Sequence, residues 1–119
     1  MKHRIVVIRS LAWLLLLGLV VLSLVPIPAP PTDLPNSDKW LHLFSYLVLA
    51  YAFLHAYPLR PGRVLIGLLG LGMALESAQT LTPHRYFEGL DLLMNVTGVL
   101  LASGLFLVLH LRVRKWMCR

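Results

Sequence analysis

The chain has 119 residues, of which 58% are hydrophobic and only 13% are charged, and its formal net charge is +6. This composition excludes an ordinary soluble domain, because such a domain needs a larger charged fraction on its surface. The charged residues lie in short runs between apolar stretches about as long as a bilayer-spanning helix. These features predict an all-α, polytopic membrane protein, with residues 1–119 forming a single transmembrane domain of four helices.

We interpret the excess of lysine and arginine over acidic residues as a signal of orientation in the bilayer. No basic surface interleaved with aromatic residues is present, so we expect the lipid bilayer as a partner and no nucleic acid. The single cysteine, Cys118, excludes an intramolecular disulfide and a multi-cysteine metal site. No tight histidine or carboxylate ligand pair is present either, so we expect no metal and no cofactor.

The first predicted span covers residues 5–25 and follows a basic start, a pattern that signal peptides share. The apolar run is long for a signal peptide, and Arg9 can extend its side chain to the interface. Ile27 also stands where a cleavage site needs a small residue. We therefore expect a retained first helix, with a cleaved signal peptide as the alternative.

Prolines and aromatic residues mark the other spans, which we predict at residues 40–57, 64–82 and 92–111. Residues 26–39 contain five prolines and form an extended connection that cannot be helical. Trp40 and Tyr57 stand at the two ends of the second span, where interfacial aromatics are common. In the third span, Gly70, Ala74 and Ala78 recur every four residues, which predicts a close approach to another helix.

The basic residues divide nine to two between the two sides of a four-span bundle. Nine of the eleven lysines and arginines fall in residues 2–9, 60–63 and 112–119, which an even number of spans places on one side. Only Lys39 and Arg85 fall on the other side. The positive-inside rule then predicts that both termini are cytoplasmic.

Polar pairs at helical spacing occur at the outer end of three spans. Asp38 and His42 are four residues apart, Glu76 and Gln79 three, and Asp91 and Asn95 four, so each pair shares a helix face. Gly98 and Ala102 continue the stripe of Asp91 and Asn95. We predict that the three stripes turn inward onto one outward-facing polar pocket, because ionisable groups in spanning segments are costly and are commonly functional.

The order of these residues resembles the VanZ-like family of small bacterial membrane proteins. The pattern comprises D-K-x-x-H-x-x-x-Y at 38–46, E-x-x-Q at 76–79, P-x-R at 83–85 and D-x-x-x-N-x-x-G at 91–98. The resemblance covers residues 38–104, although the segment between Arg85 and Asp91 departs from the pattern. It implies a multi-pass protein of the bacterial cytoplasmic membrane with a role in the cell envelope. It also implies a link to resistance to the glycopeptide antibiotic teicoplanin, without an established reaction.

The predicted pocket contains eight residues, and most of them also have a structural interpretation. Asp38 and Asp91 also fit helix N-terminal anions, Lys39 and Arg85 fit interfacial cations, and His42 and Asn95 fit interhelical hydrogen bonding. Glu76 resists such an interpretation best, and we expect it to pair with Arg85, His42 or Lys39. The full set is Asp38, Lys39, His42, Glu76, Gln79, Arg85, Asp91 and Asn95.

Two function classes fit these residues. In the first, the pocket binds or modulates a lipid-linked or peptidoglycan-related molecule of the envelope. In the second, the protein is an enzyme that acts on an anionic envelope lipid or precursor. Glu76 or Asp91 would then be the general base, His42 an acid or base, and Arg85 the group that stabilises an anion. A proton-coupled transporter is a third class, but the acids gather at one surface and do not cross the membrane.

Overall fold

The computed structural model describes residues 1–25, 37–82 and 86–117, without the side chains of residues 37 and 38. This part of the chain contains four α-helices and no strand, as the sequence predicts. The helices are α1 (Lys2–Leu24), α2 (Ser37–Ala56), α3 (Pro61–Gln79) and α4 (Gly89–Met117). Most of the connection at residues 26–39 lies outside the described residues.

The helices extend beyond several of the predicted spans. α3 begins at Pro61, because a proline fits the first turn of a helix, where its missing N–H has no helical partner. α4 has 29 residues and continues six residues past the predicted end at residue 111. It thereby includes Arg114 and Lys115 in its last turn, where cations interact favourably with the helix dipole.

Three side-chain contacts define the directions of the helices. Arg9 Nε donates a hydrogen bond to the Ala56 carbonyl oxygen at 3.2 Å, which joins the start of α1 to the end of α2. Gln79 Nε2 donates to the Ser23 carbonyl oxygen at 3.0 Å, which joins the ends of α1 and α3. The backbone N–H of Glu88, just before α4, donates to Glu76 near the end of α3. The helices therefore alternate in direction.

The alternation gives the bundle two chemically different ends. The basic end comprises the start of α1, the turn between α2 and α3, and the end of α4, and it carries eight of the nine described lysines and arginines. The polar end comprises the start of α2, the end of α3 and the start of α4. Lys39 is the only lysine or arginine described there.

The tightest packing in the bundle joins α2 and α4. Gly98 makes it possible, because a Cβ atom at this position would overlap the Leu43 carbonyl oxygen and lie 3.0 Å from the Leu47 nitrogen. Val99 and Ala102, on the same face of α4, are completely buried. The predicted stripe of Asp91, Asn95, Gly98 and Ala102 is buried along its whole length.

The predicted close approach at Gly70, Ala74 and Ala78 is wrong. Gly70 and Ala74 are exposed, and nothing lies within 4 Å of a Cβ atom built on Gly70. In α3 the glycine that faces a neighbouring helix is Gly72, where a Cβ atom would lie 3.5 Å from both the Asn95 side chain and the Tyr46 ring. The buried polar side chain of Glu76, one turn further on, orients α3 so that the face with Gly72 points inward.

The α2–α4 contact gives a direct test of this packing. Gly98→Ala should destabilise the bundle by about 1–3 kcal/mol, because an added methyl group forces a close-packed backbone contact apart. Gly104→Ala is the matched control, since nothing lies within 4 Å of its Cβ position. Thermal unfolding in detergent micelles, followed by circular dichroism, measures both. Equal unfolding midpoints for the two variants would contradict the close α2–α4 contact.

Candidate functional site

A cluster of polar side chains lies between α2, α3 and α4 at the polar end of the bundle. Four of its members are almost completely buried: the exposed fractions are 2% for Glu76, 3% for Asn95, 5% for Gln79 and 8% for Asp91. Such groups are stable in an apolar bundle only when they are hydrogen-bonded or paired. The polar cluster is defined here as Lys39, His42, Glu76, Gln79, Glu88, Asp91 and Asn95.

His42 joins α2 to α4 through both of its ring nitrogens. Its Nδ1 atom lies 3.2 Å from Asn95 Oδ1, and its Nε2 atom lies 3.7 Å from Asp91 Oδ2. An amide oxygen can only accept a hydrogen bond, so Nδ1 carries the proton and donates it to Asn95. In the neutral ring the electron pair then lies on Nε2, which faces the Asp91 carboxyl group. The ring is thus held between an amide and a carboxyl group of α4.

Glu76 holds the beginning of α4. Its Oε1 atom accepts a hydrogen bond of 3.2 Å from the backbone N–H of Glu88, the residue before Gly89, where α4 starts. The first N–H groups of a helix have no partner within it, so a carboxylate placed there satisfies a donor and interacts favourably with the helix dipole. The partners expected for Glu76 were side chains, whereas the partner found among the described residues is this backbone amide.

Lys39 and Glu88 form an ion pair at the surface of the cluster. Lys39 Nζ lies 3.1 Å from Glu88 Oε2, and the two side chains are 16% and 51% exposed. Glu88 was not among the predicted site residues. Its sequence signal is an acidic residue directly before a helix start, on the side of the bundle where Lys39 lies. The pair links the start of α2 to the start of α4.

Gln79 has a different role from the rest of the cluster. Its amide nitrogen donates to the Ser23 carbonyl oxygen near the end of α1. Its partner therefore belongs to the peripheral helix, whereas His42 contacts Asn95 and Asp91 of α4. This contact fastens the end of α1 to α3 at the polar end.

The positions of two of the predicted site residues remain predictions. Arg85 lies outside the described residues, as does the side chain of Asp38. The structure brings the other six to the same end of the bundle: Lys39, His42, Glu76, Gln79, Asp91 and Asn95.

The cluster is a packed arrangement whose outer members reach the surface. His42, at 22% side-chain exposure, is accessible together with Lys39 and Glu88, while Glu76 and Asn95 lie beneath them. The accessible groups are thus a cation, a carboxylate and an imidazole, which suit a ligand with both charged and hydrogen-bonding atoms. Within the described ranges, no three side chains of the metal-ligating types are arranged to hold a metal ion.

Comparison with known proteins adds no relative to this chain. No family model matches it, and no curated protein or solved structure shows significant similarity to it. The resemblance to the VanZ-like family therefore rests on the motif residues in the sequence.

The hydrogen bond from Glu88 to Glu76 can be tested with two substitutions at one position. Glu76→Gln keeps an oxygen that accepts from the Glu88 amide, so the bundle should retain most of its stability. Glu76→Leu removes the acceptor and leaves the partly buried N–H of Glu88 without this partner, which should cost about 1 kcal/mol. Unfolding in micelles measures both changes.

Ser77→Leu is the matched control for Glu76→Leu, because it adds a leucine to the same turn of α3 on an exposed face. Its unfolding midpoint should stay at or above that of the unmodified protein. A Glu76→Leu variant as stable as Ser77→Leu would show that the carboxylate contributes nothing to the start of α4.

Proposed function

We propose that the chain is a polytopic membrane protein whose four helices all span the bilayer. Two helices, α1 with 23 residues and α4 with 29, are long and apolar enough to cross a membrane. Of α1 only Ala12 is buried, so large apolar side chains such as Leu14 and Leu22 are about 60% exposed. A core helix of a soluble protein would bury such residues. Lipid is the solvent that suits this surface.

α2 and α3 are included in the proposed spans because of their length and because the carboxyl and amide side chains of Glu76 and Gln79 in α3 are buried. They have 20 and 19 residues, which correspond to roughly 30 and 28 Å at 1.5 Å per residue. Glu76 and Gln79 of α3 are buried between helices, while its exposed residues include Ile66 and Met73. Glu76 and Gln79 therefore do not meet the lipid.

The proposed orientation puts the basic end in the cytoplasm. The ends of the described chain, Met1 and Met117, lie at this end, and so does the turn with Arg60 and Arg63. Lysine and arginine accumulate on the cytoplasmic side of membrane proteins. α1 also makes hydrogen bonds with α2 and α3, which supports its retention as a helix of the mature protein over its removal as a signal peptide.

Reporter fusions test this topology. Fusions after Arg63 and after Arg119 should give cytoplasmic signals with green fluorescent protein and no activity with alkaline phosphatase. Fusions within residues 28–36 should give the reverse pattern, because they place the reporter outside. A carboxy-terminal fusion with high phosphatase activity would overturn the orientation, and with it the outward position of the polar cluster.

We further propose that the protein is a VanZ-like protein of the bacterial cytoplasmic membrane that binds or modulates an envelope molecule at the polar cluster. The observation that carries this proposal is the contact of His42 with Asp91 and Asn95, close to Lys39 and Glu88 at the proposed outer surface. A lipid-linked or peptidoglycan-related molecule offers phosphate, amide and carboxylate groups, and these groups complement lysine, imidazole and carboxylate side chains. By the resemblance, the outcome in the cell would be altered sensitivity to a glycopeptide antibiotic.

The alternative is a small membrane enzyme that acts on an anionic envelope lipid. The pairing of His42 Nε2 with Asp91 Oδ2 supports it, because a histidine beside a carboxylate is a common general acid or base. Lys39 would bind the anionic group of the substrate, and Arg85 would add a second positive charge. The enzyme hypothesis uses the same residues as the binding hypothesis. The two differ only in whether a bond of the ligand is broken.

Two histidines of α2 provide a matched test of the polar cluster. In a teicoplanin-susceptible bacterium that expresses the protein, His42→Gln should abolish the rise in the inhibitory concentration of teicoplanin. Glutamine keeps a polar side chain but cannot exchange a proton at neutral pH. His55→Gln should retain the rise, because His55 lies at the basic end, with Nδ1 beside the Tyr51 carbonyl oxygen of its own helix.

Each other outcome rejects a part of the proposal. Full protection by His42→Gln would remove His42 from the site, and no protection by the unmodified protein would reject the role in teicoplanin resistance. Incubation of the purified protein with undecaprenyl phosphate tests the enzyme alternative. Release of phosphate by the unmodified protein but not by His42→Gln would favour catalysis. An unchanged lipid would reject this reaction.

A further inference from the structure

A second feature of the bundle lies at the opposite end from the polar cluster. An open groove of about 520 Å³ runs between α1, α2 and α3 at the basic end. Its volume falls within the range of about 300–1,000 Å³ that is typical of small-molecule sites. Its walls are mainly apolar, and two arginines, Arg60 and Arg63, belong to its lining.

Aromatic side chains of two helices build one wall of the groove. The Trp13 and Phe53 rings meet edge to face, with their centroids 5.3 Å apart. Trp13 Nε1 donates a hydrogen bond of 3.0 Å to the Tyr57 hydroxyl oxygen, so its polar atom is satisfied while its ring faces the groove. Arg9 lies over the Tyr57 ring, 4.8 Å from its centroid, and also donates to the Ala56 carbonyl oxygen. Arg9 is therefore engaged in fixing this wall.

α3 forms the opposite wall. From Arg63 to Leu71 the groove follows nine residues of this helix, which span about 12 Å at a rise of 1.5 Å per residue. Gly67 lies in the middle of this wall, and nothing is within 4 Å of a Cβ atom built on it. The absence of a side chain at Gly67 keeps the groove open.

The charge at the mouth of the groove is positive, and no aspartate or glutamate side chain in the described part of the basic end balances it. Asp and Glu are absent from residues 1–32, 39–75 and 92–119, which include every segment of the basic end. Arg60 and Arg63 flank the first turn of α3, next to an apolar channel that runs toward the middle of the bilayer in the proposed orientation. This combination of positive charge at headgroup depth and an apolar channel beneath it fits an amphiphile with an anionic head.

We propose that this groove binds an anionic phospholipid, with its phosphate at Arg60 and Arg63 and an acyl chain along Trp13, Phe53 and Gly67. Basic residues at the cytoplasmic membrane surface attract anionic lipids, and basic pockets between spanning helices bind their headgroups. The site rests on the proposed membrane location but is independent of the polar cluster. A lipid bound there would hold α1 against α2 and α3. In the described part of the chain α1 has no contact with α4.

Native mass spectrometry of the full chain in a non-ionic detergent provides the test, with dioleoylphosphatidylglycerol and dioleoylphosphatidylcholine as probes. The unmodified protein should retain one phosphatidylglycerol in preference to phosphatidylcholine, and glycerol phosphate should not displace it. The Arg60→Gln/Arg63→Gln variant should bind phosphatidylglycerol about tenfold more weakly. Arg112→Gln/Arg114→Gln, which removes two charges from the same end but outside the groove, should bind it normally.

A second pair of variants tests the apolar channel without altering charge. Gly67→Leu should block retention of the lipid, whereas Gly70→Leu, which adds the same side chain outside the groove, should not. The helical content by circular dichroism should be the same for both variants. Both probe the same helix, so a general effect of leucine on α3 would appear equally in each.

Three outcomes would overturn the lipid site: equal retention of both lipids, equal weakening by the two arginine pairs, or normal binding by Gly67→Leu. A dimer that replaces the bound lipid would assign the groove to a second copy of the chain and would overturn it as well. Carbonate extraction separates this proposal from the membrane assignment. Release of the protein from membranes would reject the membrane location, while a retained protein without a specific lipid would reject only the groove.

Discussion

The structure depends on the cost of leaving a polar group without a partner in an apolar bundle. Glu76, Asp91 and Asn95 lie in helices whose outer faces are covered with leucine, isoleucine and valine, and none could face lipid without a large loss of solvation. Their mutual proximity therefore determines how α3 and α4 rotate about their axes. His42 does the same for α2, because its ring is held by groups of α4 on two sides. Helix orientation and the candidate site have one physical cause.

The helices are joined with unequal strength, and this explains why the two ends differ. α2 and α4 pack backbone to backbone at Gly98 and share the His42 contacts, so they form the rigid unit of the bundle. α1 is held at its start by Arg9 and Trp13 and near its end by the bond from Gln79 to Ser23. Between these contacts, long apolar side chains of α1 such as Leu16 line an open space. This space is the groove at the basic end. A loosely packed helix beside a tight pair produces a groove, whereas the tight pair itself produces a closed polar cluster.

The number of helices and much of the buried face of α4 were predictable, because proline-rich connections and helical spacing are local signals. The stripe of Asp91, Asn95, Gly98 and Ala102 could be read from the sequence, since its polar members can only turn inward. Gly70 could not be placed correctly, because α3 has small residues on more than one face and the spacing does not say which face meets a neighbour. The hydrogen bond that Glu76 accepts from the Glu88 amide was not predicted, and the expected pairing with Arg85 lies outside the described residues. The position of the Glu88 amide depends on the path of the connection before α4. The side-chain types in the sequence do not determine that path.

The contacts of the polar cluster would also connect the proposed ligand to helix packing. Lys39 and His42, the accessible polar groups of α2 at the polar end, both already contact carboxyl groups at the start of α4. An anionic ligand that takes either group must compete with Glu88 or Asp91 for it. Loss of the Lys39 ion pair would free the Glu88 side chain, while the Glu88 amide would remain fixed by Glu76. Binding would therefore weaken the link between the starts of α2 and α4 without releasing α4 from α3. The Gly98 contact, about two turns deeper than Asp91, does not involve these side chains and would still join α2 to α4.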